Sequence, residues 1–75
     1  MTPTAESIKE IIASLDLLDV AELKNDVAFG DQGIDSMDRA SIYFEVEDKY
    51  GVKLPENEEE QYGSIEGLIK FVSNS

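Results

Sequence analysis

The residues best placed to do chemistry in this chain are Asp35 and Ser36, set in the run Gly33-Ile34-Asp35-Ser36-Met37. A serine hydroxyl becomes a nucleophile when a base lies within hydrogen-bond reach and donors meet the developing oxyanion. The chain contains no histidine and no cysteine. That excludes a Ser-His-Asp triad, thiolate chemistry, a disulfide framework and cysteine-ligated metal. A Ser-Lys pair is the remaining route to catalysis in cis, but each lysine sits in a charged stretch without the apolar surroundings that make an amine a base.

Two readings of Ser36 remain. As an isolated residue it is a helix N-cap, its oxygen accepting a backbone N–H left unpaired at a helix start. Alternatively, its hydroxyl is the acceptor in a phosphoryl transfer carried out by a separate enzyme, which brings the base and the metal. An anion on Ser36 would then lie at the positive end of a helix dipole. Gly33 would leave the approach open, and Asp35 and Asp38 would meet basic residues of the modifying enzyme. Asp31, Asp35 and Asp38 are near one another in sequence, but their spacing is not that of an EF-hand loop and no glutamate closes the set. The expectation is no specific metal site, only loose binding of divalent cations.

The elements that must position this serine are helical. Thr4 is a candidate N-cap with Glu6 in the first turn, and Ile8, Ile11, Ile12 and Leu15 follow at the spacing of one buried stripe, predicting a helix over 5–16. From Asp16 to Asp35 the pattern breaks into a long connection. Leu17, Leu18, Val20, Leu23, Val27, Phe29 and Ile34 should dock it, around a short helical turn near Val20 to Leu23. A second long helix runs from Ser36 to Tyr50, with Gly51 as its stop. Ile42, Val46 and Tyr50 face the core, while Met37, Ala40 and Phe44 lie on a more exposed arc. Val52 to Pro55 is extended, and Glu56 to Gln61 forms a short acidic helix. Ser64 caps a last helix that ends near Ser73, with Ile65, Leu68, Ile69 and Val72 as its buried stripe and Phe71 at its edge. The prediction is all-α: three longer helices and a short one.

Composition narrows the function classes. Acidic residues number 17 against 6 basic, a net charge of -11, which opposes binding to nucleic-acid phosphates or anionic lipid and favours partners with basic patches. A chain of 75 residues holds one domain (1–75) with a thin core. No apolar run reaches membrane-spanning length and no secretory leader pattern opens the chain, so a cytoplasmic protein is expected.

Gly33-Ile34-Asp35-Ser36-Met37-Asp38 resembles the modification motif of acyl carrier proteins, in which the serine of Asp-Ser-Leu or Asp-Ser-Met carries 4'-phosphopantetheine. The resemblance covers essentially the whole chain. Phe29 through Ile34 is similar to the family's loop into the motif. Glu45 through Pro55 resembles the helix end and extended turn that follow, and Ser64-Ile65 through Phe71-Val72 resembles the closing helix. It implies a four-helix bundle with a long first loop, and a carrier without turnover of its own. A phosphopantetheinyl transferase would move the arm from coenzyme A onto Ser36, and the arm's thiol would hold an acyl group as a thioester. Enzymes that load and process the acyl group would read the second helix through Asp35, Met37, Asp38, Phe44, Glu47 and Asp48. Arg39 would lie on or beside that strip, and Val46 and Tyr62 would line the acyl cavity. A monomer with no nucleic-acid partner and no membrane insertion is implied.

The departures from the family pattern are Arg39, Ser41 in place of a common acid, Phe44 in place of a smaller aliphatic, and Tyr62-Gly63 before the last helix. They favour a specialised carrier, serving a secondary-metabolite, modified-lipid or amino-acyl pathway, over a housekeeping carrier of fatty acid synthesis. Because the chain begins at Met1 and ends soon after the last helix, a free-standing protein is expected rather than a domain of a megasynthase. The reading from another class is an unmodified acidic helical interaction module, with Ser36 only a cap.

Overall fold

The computed structural model describes residues 3–15 and 22–74. Among them the architecture is all-helical: α1 (Ala5–Ser14), α2 (Ser36–Tyr50), the short α3 (Glu59–Tyr62) and α4 (Ile65–Ser73), with single 3-10 turns at Phe29–Gln32 and Glu56–Glu58. Each boundary has a local cause. Thr4 caps α1, its hydroxyl accepting from Ser7 N at 3.1 Å while the Ser7 hydroxyl accepts from Thr4 N at 2.9 Å. That is a reciprocal capping box built with serine instead of glutamate. Ser64 caps α4 by accepting from Gly67 N at 2.9 Å. At the end of α2, Gly51 takes φ +65°, the left-handed conformation that closes a helix without strain in glycine alone. Helix α1 ends at Ser14, two residues short of the expected boundary at Asp16, which lies outside the described residues.

The predicted stripes form the core. Ile8, Ile12, Phe29, Ile42, Val46, Tyr62, Ile65 and Leu68 are essentially fully buried, with Ile11, Leu23, Ile34, Leu54 and Val72 around them. Leu15, Ile69 and Phe71 pack against this cluster from its edge. Tyr50 is half-buried and donates its phenol O–H to Ser7 Oγ at 2.7 Å, tying the end of α2 to the start of α1.

The long connection is fastened as much by polar groups as by apolar ones. Leu23, Phe29 and Ile34 are buried anchors. Gln32 supplies the rest: its Oε1 accepts from Lys24 N at 2.7 Å, and its Nε2 donates to the carbonyls of Lys24 and Val27 at 2.9 and 2.8 Å. Two backbone bonds, Phe29 N to the Gly63 carbonyl and Glu66 N to the Asn25 carbonyl, then join the loop to the turn between α3 and α4 and to the first turn of α4. The docking residues Leu17, Leu18 and Val20, and the first half of the helical turn expected near Val20 to Leu23, lie outside the described residues.

Helices α3 and α4 meet at Gly67, where a Cβ would stand 2.6 Å from the Gln61 carbonyl oxygen and 3.0 Å from Tyr62 Cα. Both obstacles are backbone, so neither swings aside. Gly67→Ala gains up to about 1 kcal/mol of helix propensity but forces the helices apart, which typically costs about 1–3 kcal/mol. The expected result is a net loss of stability and a lower melting temperature by circular dichroism. A higher melting temperature would show that this contact gives way.

Candidate functional site: the start of α2

The approach to Ser36 is an arch pinned at both ends. Gly33 adopts φ +88°, and a Cβ there would meet nothing within 4 Å. The glycine is required by its backbone angle, and the space beside it is open. Ile34 turns its side chain into the core, 3 % exposed, and its N–H donates to the Phe29 carbonyl at 3.1 Å. Asp35 is extended (φ -77°, ψ 175°), and its carboxylate accepts from Asp38 N at 2.9 Å.

Asp35 is therefore the N-cap of α2, and of the two readings of Ser36 the helix cap falls away. A cap needs non-helical backbone angles, and Ser36 is already the first helical residue. Its side chain is exposed, and among the described residues nothing hydrogen-bonds its hydroxyl. Met37, at 80 % exposure, follows it into solvent. The backbone N–H groups of Ser36 and Met37 likewise have no acceptor among the described residues, as the first turn of a helix requires. A free hydroxyl thus stands over unpaired donors at the positive end of a helix of 15 residues.

A family model described as the phosphopantetheine attachment site matches residues 6–72. The chain belongs to that family. It is a phosphopantetheine carrier, non-catalytic, modified by a phosphopantetheinyl transferase and carrying 4'-phosphopantetheine covalently. Carriers of this kind work with that transferase and with acyl-processing enzymes. The residues at the start of α2 fit the group's phosphodiester: an exposed hydroxyl with no competing bond, two free N–H donors and an open flank at Gly33. When attached, the arm supplies the thiol that this cysteine-free chain lacks.

The other predicted site residues of this carrier, on α2 with its N-cap and on α3, fall into three groups. Asp35, Met37, Phe44 and Asp48 are exposed and Asp38 is half-exposed, with Phe44 at 66 %. Arg39 and Glu47 have intramolecular partners instead. Arg39 Nε lies 2.9 Å from Glu59 Oε2 and its Nη1 donates to the Ile34 carbonyl at 2.8 Å, while Glu47 Oε2 accepts from Leu54 N at 2.8 Å. Val46 and Tyr62 are interior. The Tyr62 phenol donates toward the carbonyls of Pro55 at 2.9 Å and Leu54 at 3.3 Å, and its ring meets Tyr43 and Phe71 edge-on at 4.8 and 5.3 Å. Among the described residues no group of three or more carboxylates is arranged to hold a metal ion, and no helix is long and apolar enough to cross a membrane.

Tyr43 and Glu59 escaped the sequence reading. The Tyr43 phenol donates to Glu59 Oε2 at 2.8 Å, so one carboxylate serves both Tyr43 and Arg39. The available signal was the four-residue spacing of Arg39 and Tyr43, which places them on one helix face. Burial pushes the Tyr43 phenol far above its ordinary 10.0, helped by the hydrogen bond and charge of Glu59 and opposed by Arg39. Tyr62 is raised as well, by burial first and then by Glu59, Glu47, Glu56 and Glu58.

These shifts have a pH signature. In the unfolded chain both phenols ionise near pH 10, whereas the folded chain holds their protons to higher pH. Their contribution to stability is complete below that value and is lost as pH rises through the folded values. The urea midpoint is expected to fall steadily above pH ~10, and to fall less steeply in Tyr43→Phe. Equal slopes in the two proteins would remove Tyr43 as the cause.

Proposed function

We propose that Ser36 is the attachment point of the 4'-phosphopantetheine arm, and that the chain carries an acyl or aminoacyl thioester between partner enzymes. The observation that carries this reading is the free, exposed Ser36 hydroxyl at the first helical position, with Asp35 already performing the capping. Partner enzymes dock on the outer face of α2. Met37 and Phe44 offer apolar contacts there, and Asp35, Asp38 and Asp48 offer charge for basic patches. Arg39 and Glu47 act mainly within the fold and support that face rather than form it.

The pathway we propose is a specialised one, for a secondary metabolite, a modified lipid or an amino-acyl group, in preference to housekeeping fatty acid synthesis. Its support is the exposed Phe44 on the docking face and the tyrosine-filled interior beside α3. The test of attachment is intact mass after incubation with coenzyme A, magnesium and a phosphopantetheinyl transferase of broad specificity. A gain of one phosphopantetheine unit, mapped to the peptide containing Ser36, is expected. A gain mapped elsewhere overturns the assignment.

A further inference from the structure

An apolar chain tethered near Ser36 is drawn out of water wherever unfilled apolar space lies within reach. Beside the start of α2 opens a cleft of about 430 Å³, lined by Asp26, Arg39, Glu59, Glu60 and Ser64 with only glycine and alanine between them. Arg39 stands three residues beyond Ser36, a rise of about 5 Å along the helix. Of the residues lining the cleft, Glu59 has its carboxylate held at once by Arg39 and by Tyr43. From Tyr43 inward, Phe29, Tyr43, Tyr62 and Phe71 form a continuous run of ring contacts with centroids 4.8–6.3 Å apart.

We infer that this carrier keeps its thioester-bound cargo outside the helical bundle and is built for short or polar acyl groups, an inference that rests on attachment at Ser36. To enter, a long saturated chain would have to displace Tyr62 from the Leu54 and Pro55 carbonyls and separate Glu59 from Arg39 and Tyr43. Among the described residues every buried side-chain nitrogen or oxygen has a partner, and an apolar chain replaces none of those bonds. The space it would gain is occupied by the rings of Phe29, Tyr43, Tyr62 and Phe71, which contact one another in sequence, and a packed interior leaves few voids for added methylenes. A short or polar group forgoes little by remaining in water, and the charged mouth of the cleft suits it.

The experiment compares acetyl, octanoyl and dodecanoyl forms of the holo-protein, each verified by intact mass before use. Melting temperature and the rate of thioester cleavage by hydroxylamine are measured for each. Both are expected to stay constant along the series. A melting temperature that rises with chain length, with cleavage of the dodecanoyl form slowed about tenfold, as for a chain buried nine-tenths of the time, would overturn the inference. Tyr62→Val frees room behind the clasp, so chain-length-dependent protection is expected to appear in that variant. Its absence from a folded Tyr62→Val protein would take the exclusion away from Tyr62 and overturn its role. If the variant does not fold, the unsubstituted series decides alone. An arm missing from the mass spectrum or carried off Ser36 counts against the attachment reading, and a protected chain counts against this one.

Discussion

Ser36→Ala is expected to abolish the mass gain of one phosphopantetheine unit and to leave stability within about 0.5 kcal/mol of the parent. The two halves of this result have separate causes. The hydroxyl oxygen is the atom that would enter the phosphodiester, and alanine has none. Stability survives because the side chain is exposed and its oxygen has no partner among the described residues, while alanine is the better helix former. Asp35→Ala is expected to show the converse. It removes the carboxylate that accepts from Asp38 N at 2.9 Å, costing about 1 kcal/mol, yet it leaves the acceptor serine in place and the mass gain attainable. Urea unfolding and intact-mass measurements on both variants check the pair. A Ser36→Ala protein destabilised like a lost cap would return Ser36 to a structural role.

Tyr62→Ala should bring the largest loss of stability among the substitutions considered. Tyr62 is 1 % exposed, touches rings on both sides and closes the join between α3 and the Leu54–Pro55 segment. Truncating a buried aromatic residue to alanine costs about 3–5 kcal/mol. Total stability at roughly 0.05–0.15 kcal/mol per residue is about 4–11 kcal/mol for a domain of this size, so a large part of it is removed. Tyr62→Phe retains the ring and loses only the phenol's bonds to the two carbonyls, a cost of about 1 kcal/mol. Unfolding curves followed by circular dichroism should rank the parent first, Tyr62→Phe close behind and Tyr62→Ala far below. Equal losses for the two variants would mean that the hydrogen bonds, and not the ring, carry the effect.

Much of this was legible in the residues. The 3.6-residue periodicity of Ile8, Ile11 and Ile12, and of Ile65, Leu68 and Val72, located two helices and their buried faces, because an amphipathic stripe has few ways to leave water. Thr4, Ser64 and Gly51 marked ends through capping chemistry that acts over three or four residues. The run around Ser36 singled out that serine as the candidate attachment point, since the missing histidine removed catalysis in cis and the flanking pattern resembled one family. The match to that family over residues 6–72 bears out the carrier class.

Tertiary structure decided the rest. One residue of backbone geometry separates a cap from a first helical position, and it is the extended Asp35 that takes the capping bond and leaves Ser36 as the first helical residue. Sequence alone placed Arg39 and Glu47 by helical face, but long flexible side chains choose their partners in three dimensions. Arg39 reaches across to Glu59, twenty residues away, and Glu47 reaches the Leu54 amide. The same holds for Tyr43, whose value to the fold depends on a carboxylate from α3 meeting it at 2.8 Å. Local patterns were enough to name the helices and the core and to single out Ser36. Contacts between residues distant in sequence determined which charges find partners within the fold and how the interior beside α3 is packed.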